Sequence, residues 1–525
     1  MRRSIAFVGA ATMMLALLPT AGGATPTADP DVIPGAYIVV LESGDPGAVA
    51  AEHSRAHNAS VAHVYRHALQ GYAARMSERA AARIAADPRV AYVDADRVVT
   101  TAHHQCGHDK PTPYSGDCDA PSPEPGTGTI AGTVTASTDE AIADATVTVE
   151  GTTLSATSDG NGDYSISDVP EGKHTVTATA DGFDPQSKEA TVGADSTTTV
   201  DFTLTATSTD LQPVPWGVER VGAPLRDGNT GAGIHVYVID TGIDPDHRDL
   251  TTNVAEGYAV EPCRGGGCAA DWDDDHGHGT HVAGTIGALD NDVDVVGVAP
   301  DVTLHAVKVL AKSGSGTRSG VIAGIDWVAS HNTGLARVAN MSLGGSGSKT
   351  ATCANGEFSG ADAYHQAICD ATDVGVVFAV AAGNSGADAA GAVPAAYDDT
   401  VITVSATNAD SDWPSWSNWG DDAVDYIPTV SAPVGIAAPG VSILSTQAGG
   451  GTTTKSGTSM AAPHVAGAAA VFLQSKPQAA DFAAFTNARS DLLGRAQDTT
   501  ESETGTWTNT SGNPHLEWFL QVTGL

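Results

Sequence analysis

The chain has 525 residues, with 25 basic against 62 acidic side chains and a formal net charge of −37 at pH 7. Such a surface repels nucleic acid and anionic membranes, so nucleic-acid-binding functions are excluded, and it keeps an exported protein soluble. The length predicts more than one domain.

Residues 1–24 have the layout of a cleaved secretory signal. Two arginines start the chain, an apolar stretch covers residues 5–18, and small residues end the segment at 22–24. The arginine pair also suits the twin-arginine route, but the residues after it match that signal poorly, so the general pathway is favoured. No other run is long enough to span a bilayer. We therefore expect a secreted, extracellular protein.

Six cysteines fit an exported protein, because disulfides persist outside the cell. No CxxC spacing typical of metal or redox sites occurs. Six cysteines allow fifteen connectivities, which the sequence leaves open. The spacing favours pairing between neighbours: Cys106 with Cys118, Cys263 with Cys268, and Cys353 with Cys369.

Residues 35–104 alternate strand and helix patterns. Apolar runs at 36–41, 61–65, 72–76 and 90–93 predict strands, and helical patterns cover 46–57 and 77–86. This order suits a small ferredoxin-like α+β unit. Residues 105–127 follow and predict a linker, since they are rich in Pro, Ser and Gly from residue 111 onward.

Residues 128–205 are typical of an all-β sandwich. Alternating runs predict strands at 129–136, 145–150, 164–166, 174–180 and 197–205, and turn residues separate them at 159–163 and 170–172. The aspartate-rich turn 159–163 also suits calcium, but a plain turn is the simpler interpretation.

Residues 211–525 carry three motifs that point to nucleophilic catalysis. Residues 234–239 predict a buried parallel strand, and Asp240 follows at its carboxyl end, where open α/β sheets bind ligands. His278 lies between two glycines and precedes an apolar run. Ser459 follows Gly457 and Thr458 and precedes small residues, a pattern that sets a hydroxyl at a helix N-terminus, where an oxyanion is favoured.

Plain structural interpretations compete with each motif. Asp240 alone would be a turn-forming residue after a strand. Asn384, in a turn after a predicted strand over 376–382, has the same simple alternative. Histidines 276, 278 and 281 beside aspartates 273–275 also suit a transition metal. Glycines around His278 fit a tightly packed helix start better, and we expect His276 and His281 to be structural.

Residues 240–242, 276–284 and 457–467 together resemble, in order, the Asp, His and Ser motifs of the subtilisin-like proteases, or subtilases. The resemblance implies an α/β fold, a doubly wound and mostly parallel sheet with helices on both faces. It also implies a serine endopeptidase that cuts extended polypeptides through an acyl-enzyme. Ser459 would be the nucleophile, His278 the general base and acid, and Asp240 the residue that orients the imidazole.

The same resemblance assigns the groups that hold the substrate. Asn384 falls at the oxyanion-hole asparagine, whose loss in subtilisin itself costs about 10²–10³ in turnover. Two strands would pair with the substrate backbone and favour unfolded peptides. The residues implied are Ser315, Gly316, Ser342, Leu343 and Gly344 for those strands, with Ala381, Ala382 and Gly383 lining the pocket for the residue before the cut.

The two upstream units also resemble known families. Residues 35–104 are similar to the subtilase inhibitory propeptide, a folding template whose tail lies in the active site until it is cut; an independent binding domain is the alternative. Residues 128–205 resemble the carboxypeptidase regulatory-like domain, which has no catalytic residues of its own. The implied partners are protein and peptide substrates and the chain's own propeptide, and we expect a monomer.

A structural calcium ion is the cofactor that the resemblance implies. Hard cations bind six to eight oxygens, and residues 289–295 resemble the loop that wraps the tight calcium site of subtilisins. An acidic loop without an ion is the alternative. The implied ligands are the side chains of Gln212, Asp249 and Asn291 and the carbonyls of Leu289, Val293 and Val295.

Two other classes of function remain open at this point. One is a binding protein on an inactive protease scaffold, although every catalytic position of the family is filled. The other is an adhesion or carbohydrate-binding protein led by the β-sandwich, although residues 128–205 contain few aromatics.

Overall fold

The computed structural model describes residues 31–101, 127–136, 141–149, 152, 154–180, 182–183, 185–194, 196–204, 212–223, 228–264, 268–331, 334–420, 433–496, 518–523 and 525. The predicted signal, the linker before residue 127 and the predicted Cys106–Cys118 pair lie outside these residues.

Residues 31–101 contain four strands and two helices in the predicted order: β1 (Val32–Leu41), α1 (Pro46–His57), β2 (Ser60–Tyr65), β3 (Gly71–Arg75), α2 (Glu78–Ile84) and β4 (Val90–Thr101). The strands are antiparallel in the order β2-β3-β1-β4. Asp45 and Ser77 cap the two helices through their side chains. The last strand was predicted over 90–93, but it continues to Thr101, because its final residues pair with strands more than 200 residues further along.

The described residues between 127 and 204 form eight strands: β5 (Thr127–Ala136), β6 (Thr146–Val149), β7 (Ser155–Thr157), β8 (Asp163–Pro170), β9 (Gly172–Thr179), β10 (Gln186–Val192), β11 (Thr197–Thr199) and β12 (Phe202–Leu204). One sheet has the order β10-β9-β6-β7, and β5 in the other pairs with β8, β11 and β12. Their buried apolar side chains form one shared core. The turn at 159–163 is held by the Asp159 carboxylate, which accepts from Asn161 and Asp163 N–H groups at 2.8 and 3.0 Å.

Sequence patterns missed two strands of this unit. Strands β7 and β10 lie at the edges of their sheet and are mostly polar, so they lack the apolar runs that reveal inner strands. The predicted strand over 197–205 is also divided, because β11 and β12 pair separately with β5.

The remaining part of the chain is built on one eight-stranded parallel sheet. Its order is β14-β15-β13-β17-β21-β23-β24-β27. The elements are α3 (Trp216–Arg220), β13 (His235–Asp240), β14 (Tyr258–Ala259), α4 (His278–Gly287), β15 (Thr303–Lys308), β16 (Ser315–Thr317), α5 (Arg318–Ser330), β17 (Arg337–Met341), β18 (Leu343–Ser346), β19 (Thr352–Ala354), β20 (Glu357–Ser359), α6 (Ala363–Asp373), β21 (Val376–Ala381), β22 (Ala392–Val393), β23 (Val401–Thr407), β24 (Val434–Pro439), β25 (Ile443–Thr446), β26 (Thr452–Lys455), α7 (Thr458–Ser475), α8 (Phe482–Arg495) and β27 (Trp518–Phe519), with a 3₁₀ turn at Ala389–Gly391.

Helices cover both faces of this sheet, as the predicted fold class requires. Helices α4, α7 and α8 share one buried core with the sheet, and α5 and α6 share the other. Asp240 ends β13, so its carboxylate lies at the carboxyl edge of the parallel strands. Helix α7 is almost wholly buried, which fits its run of alanines and glycine, since small side chains allow close packing against the sheet.

Two of the three predicted disulfides lie in the described residues and are formed. Cys263 bonds to Cys268, and Cys353, in the β19–β20 hairpin, bonds to Cys369 of α6. No helix in the described part of the chain is long and apolar enough to cross a membrane.

Candidate active site

Asp240 and His278 meet at the carboxyl edge of the sheet. The His278 Nδ1 and Asp240 Oδ1 atoms are 2.8 Å apart, and both side chains are at most 1% exposed. His278 is the first residue of α4, and the preceding Gly277 has a φ of 88°, which favours glycine. A carboxylate on Nδ1 fixes the imidazole tautomer and leaves Nε2 as the atom that can take a proton.

Gly279 lets α4 begin this close to β13. A Cβ atom at position 279 would lie 2.1 Å from the Gly242 carbonyl oxygen. The Gly279 N–H also donates to the Thr241 hydroxyl at 2.9 Å. The glycine after His278 is therefore required by close backbone approach.

Asp274 organises the first turn of α4, a role that the sequence did not reveal. Its Oδ1 accepts from the Thr241 hydroxyl and from the N–H groups of His276 and Gly277 at 2.8–3.0 Å. Its Oδ2 accepts from the N–H and hydroxyl of Thr280 at 2.8 and 2.7 Å. An acidic side chain just before a predicted helix start was the available signal, since carboxylates stabilise helix N-termini.

Burial disfavours the charged form of the other two histidines of the motif. Burial lowers the pKa of His281 well below its ordinary value, and its Nε2 lies 3.0 and 3.1 Å from the carbonyl oxygens of Ile443 and Thr453. Burial also lowers the pKa of His276. Within the described ranges, no group of three or more His, Cys, Asp or Glu side chains is arranged to hold a metal ion.

Ser459 is the second residue of α7 and is fully buried. Gly457, just before the helix, has a φ of 155°. Ser342 lies against the serine: its hydroxyl donates to the Ser459 carbonyl at 2.8 Å, and the Ser459 hydroxyl donates to the Ser342 carbonyl at 3.2 Å. Helix α7 packs on α4, the helix that begins with His278.

Asn384 is oriented by Thr458, the residue before Ser459. The Asn384 Oδ1 atom accepts from the N–H and the hydroxyl of Thr458, both at 2.9 Å. Because the oxygen of the amide is used in this way, its nitrogen is the end that can donate to a substrate.

Asn418 holds the loop that contains the predicted pocket residues Ala381, Ala382 and Gly383. The Asn418 side chain donates to the Ala382 carbonyl at 2.9 Å and accepts from two N–H groups further along the loop, at 2.9 and 3.1 Å. Gly383 has a φ of 104°, and a Cβ atom there would lie 2.5 Å from the Asn418 amide. No sequence pattern singled out Asn418.

Strands β16 and β18 form the walls of a cleft, and β4 lies between them. Ser315, Gly316 and Thr317 pair antiparallel with residues 98–100, while Leu343 and Gly344 pair with Thr101 and Thr100. The Thr101 N–H also donates to the Gly314 carbonyl at 2.9 Å. The chain's own segment therefore lies where the sequence predicted an extended substrate.

Carboxylates anchor residues 31–101 on the larger unit. Asp96 accepts from the N–H and hydroxyl of Ser319 at the start of α5, at 3.0 and 2.5 Å. Asp326, on the same helix, accepts from the N–H groups of three successive residues, 66–68, at 2.5–2.9 Å. The Tyr65 hydroxyl donates to the Ser319 carbonyl at 3.0 Å.

The predicted calcium ligands converge on one point. The Gln212 Nε2 atom lies 2.5–2.7 Å from the carbonyl oxygens of Leu289, Val293 and Val295 and 3.5 Å from the Asn291 Oδ1 atom. An amide nitrogen has only two protons, so it cannot satisfy four oxygens at once.

Asp249 lies beside the same oxygens. Its Oδ2 accepts from the Val295 N–H at 3.0 Å, while its buried Oδ1 accepts no hydrogen bond in the described part of the chain. Burial raises the pKa of Asp249 to about 8. Converging oxygens and an uncompensated buried carboxylate are what a hard cation requires.

Three family models match the chain. The subtilase family model matches residues 231–512, more than half of the sequence. The chain belongs to the subtilase family. The peptidase inhibitor I9 model matches residues 36–102, and the carboxypeptidase regulatory-like domain model matches residues 129–205.

Similar proteins are mostly bacterial subtilisins. Alkaline elastase YaB of Bacillus sp. (strain YaB) is 42% identical over 272 residues, which are 51% of this chain and 62% of that protein. Subtilisin Savinase of Lederbergia lenta is 42% identical over 268 residues, which are 51% of this chain and 86% of that protein. The crystal structure of a cold adapted subtilisin-like serine proteinase has 36% identity and a TM-score of 0.44, with 58% of this chain and 97% of that chain covered. The match thus spans less than two thirds of the elastase.

We predict that Gly279→Ala destabilises this subtilase. The added methyl group meets the Gly242 backbone and must push α4 away from β13, an overpacking change that costs about 1–3 kcal/mol. Gly494→Ala in α8 is the matched control, because a Cβ atom there has no neighbour within 4 Å. Chemical denaturation in a Ser459→Ala background measures both, and equal stabilities would contradict the role given to Gly279.

Proposed function

We propose that this subtilase is a serine endopeptidase that hydrolyses peptide bonds of extended polypeptides and is made as a self-processed precursor. The observation that carries the proposal is the course of β4, which runs between β16 and β18 as a substrate would. The strand ends opposite Leu343. The neighbouring residue, Ser342, is hydrogen-bonded to Ser459. The buried Asp240–His278 pair supports the proposal, since its imidazole would be the proton acceptor for Ser459.

The proposed reaction is acyl transfer in two halves. The Ser459 hydroxyl oxygen attacks the substrate carbonyl, and the His278 Nε2 takes its proton. The same imidazole then gives the proton to the leaving amine, so that the peptide C–N bond breaks and an ester forms on Ser459. In the second half, water attacks the ester with the imidazole again as base, and the new carboxylic acid leaves Ser459 as the free hydroxyl. Asp240 remains ionised and supports the imidazolium that forms in each half.

Two donors are proposed to hold the oxyanion: the Asn384 side-chain nitrogen and the Ser459 N–H. The Thr458 contacts with the Asn384 oxygen support this assignment, because they orient the amide before the substrate arrives. A donor that is already oriented needs no reorganisation when charge develops, which is why such groups contribute strongly to rate.

Residues 35–104 are proposed to act as the inhibitor of the precursor. Their last strand fills the cleft with main-chain pairing, and Asp96 and Asp326 attach them to both ends of α5. Val99 is 1% exposed and belongs to the same buried cluster as Leu310, Val321 and Leu343. An extended, buried segment of this kind excludes any other substrate until it is cut and released.

The calcium site is proposed on the donor set of the 289–295 loop with Gln212 and Asp249. The loop carbonyls, the Asn291 oxygen and the Asp249 carboxylate would hold the ion, with the Gln212 amide turned to present its oxygen. A bound cation would stabilise the fold by neutralising the buried Asp249 charge.

Secretion through the signal at residues 1–24, the domain boundaries and a monomeric state remain part of this proposal. The β-sandwich is proposed to stay attached to the mature enzyme, since it follows the propeptide in the chain. The sequence argument against nucleic-acid partners still rests on the net charge of −37.

Ser459→Ala is expected to abolish both peptide hydrolysis and self-processing, with a rate loss of roughly 10⁶-fold, because the nucleophile is gone. Ser456→Ala, three residues earlier, is the matched control.

Asn384→Ala should lose about 10²–10³ in turnover while labelling of Ser459 by a fluorophosphonate persists. Normal maturation of Ser459→Ala would exclude this mechanism.

The first cut is expected between residues 100 and 105, most simply after residue 102. Thr101, the last residue of β4, pairs with Leu343, the neighbour of Ser342, which contacts the nucleophile. N-terminal sequencing of the secreted protein measures the site. Val99→Ser should slow processing because Val99 is buried, whereas Val98→Ser, at a position 36% exposed, should process nearly normally. An earliest cut beyond residue 205 would show that the sandwich leaves with the propeptide.

Calcium is expected to raise the melting temperature of the Ser459→Ala precursor. An ion that binds only the folded state stabilises it by about 2.7 kcal/mol at one hundred times its Kd. A chelator should lower the melting temperature, and in the active enzyme it should speed self-digestion. Asp249→Ala should remove most of this sensitivity, while Asp290→Ala, an exposed aspartate of the same loop, should keep it. A melting curve indifferent to chelator and calcium would rule the site out.

A further inference from the structure

Helix α7 contains a proline one turn after the proposed nucleophile. Pro463 follows Ser459 by four residues and lies inside the helix. In an α-helix each carbonyl oxygen accepts from the N–H group four residues later, and proline has no N–H group. The Ser459 carbonyl therefore cannot receive its helical hydrogen bond. Because Ser459 is fully buried, this oxygen needs a donor from outside the helix.

The Ser342 hydroxyl is such a donor. Its oxygen lies 2.8 Å from the Ser459 carbonyl oxygen. A carbonyl can only accept, so the hydroxyl proton must point at it. Ser342 directly precedes strand β18, whose residues Leu343 and Gly344 pair with β4 in the cleft. This hydrogen bond therefore joins the backbone of the nucleophile to the strand that would hold the substrate.

Asn340 sets the direction of the Ser342 hydroxyl. It lies on β17, two residues before Ser342, and both side chains are fully buried. The Asn340 side-chain nitrogen donates to the Ser342 hydroxyl oxygen at 2.9 Å. Because the Ser342 proton is used by the Ser459 carbonyl, the hydroxyl oxygen can only accept from Asn340. The three residues thus form a directed chain of hydrogen bonds, which we call the Asn340–Ser342–Ser459 relay.

The relay leaves one polar atom of Asn340 without a partner. Its Oδ1 atom is buried and accepts no hydrogen bond in the part of the chain that the structure describes. A buried polar atom without a partner lowers the stability of the fold. A leucine has a similar shape and would avoid this cost, so packing alone does not account for an asparagine at this position.

We propose that Asn340 and the Ser342 hydroxyl are positioning residues for the nucleophile. They replace the hydrogen bond that Pro463 cannot give, and they hold the Ser459 backbone at a fixed distance from the substrate strand. The inference rests on the proposed endopeptidase function and adds two side chains that act through the Ser459 backbone. Small displacements of a reacting group are costly in rate, so the relay acts on kcat more than on KM.

Two variants of the mature enzyme interrupt the relay. Ser342→Ala deletes the donor, and Asn340→Leu deletes the group that orients it while keeping its shape. Each should lower kcat about fivefold, the effect on rate of one hydrogen bond of ordinary net strength, with KM little changed. The double variant should lose no more than Ser342→Ala alone. Hydrolysis of a peptide with residues 98–102 before the cut, with active enzyme counted by fluorophosphonate titration, measures these values.

A third variant tests the physical cause. Pro463→Ala gives position 463 an N–H group, which can donate to the Ser459 carbonyl as in an ordinary helix. Relative to Pro463→Ala alone, the losses caused by Ser342→Ala and Asn340→Leu should then largely disappear. A merely structural role of either residue would not produce this rescue. If Ser342→Ala alone yields no mature enzyme, maturation restored by Pro463→Ala supports the relay, and failure in that background overturns it.

Thr372→Val is the matched control. The Thr372 side chain is fully buried on α6, and its hydroxyl donates to the Ile368 carbonyl at 2.8 Å, so the variant loses a comparable hydrogen bond away from the cleft. It should lower the melting temperature and keep kcat. Asn340→Leu should lower kcat and, in the Ser459→Ala precursor, keep or raise the melting temperature, because it removes the unpaired oxygen.

The outcomes separate the two proposals. An unchanged kcat in Ser342→Ala and Asn340→Leu, additive losses in the double variant, or equal losses with and without Pro463→Ala would overturn the relay while leaving the protease function intact. If the enzyme of unchanged sequence, freed from its propeptide, cuts neither the peptide nor denatured casein, the proposed function itself fails and the inference fails with it.

Discussion

The close approach of helix α4 to the end of strand β13 is the constraint on which the site depends. The missing side chain of Gly279 allows this approach, since a methyl group would meet the Gly242 carbonyl. The 2.8 Å contact between Asp240 and His278 follows from it, as does the bond from Gly279 to the Thr241 hydroxyl. The buried Lys308 ammonium donates to the Thr241 carbonyl at 2.5 Å and to the Asp275 carboxylate at 2.7 Å. These two hydrogen bonds hold the chain that follows Asp240 in place.

Strand β4 belongs to two units at once. One end completes the antiparallel sheet of residues 31–101, and the other pairs with β16 and β18 in the cleft. Edge strands with unpaired N–H and C=O groups recruit another strand, so the cleft that would bind a substrate also binds this segment. Inhibition and substrate binding are therefore expected to use the same backbone groups.

The excess of acidic residues has specific uses inside the molecule. Asp274, Asp96 and Asp362 each accept from N–H groups at the first turn of a helix, respectively α4, α5 and α6. Helix N-termini carry partial positive charge, so they stabilise carboxylates that would otherwise be costly to bury. Asp249 differs, because it has no helix N-terminus to offset its charge, and a cation at the 289–295 loop would serve instead.

The sequence by itself indicated the α/β fold, the family and the positions of Asp240, His278, Ser459 and Asn384, because short motifs of fixed spacing encode local geometry. It also predicted the six elements of residues 31–101, whose apolar periods are regular, and three disulfides between neighbours, of which the two in the described residues are formed. The sequence did not predict the edge strands β7 and β10, because they are mostly polar and lack apolar runs.

Only the tertiary structure decided which distant groups meet. The extension of β4 to Thr101 depends on partners more than 200 residues away. Asn418 holds the 381–387 loop across about 30 residues of chain, and Asp274 binds Thr241. None of these contacts has a local signature, since a side chain's partner across the fold is set by how the sheet and helices pack and not by its neighbours in sequence.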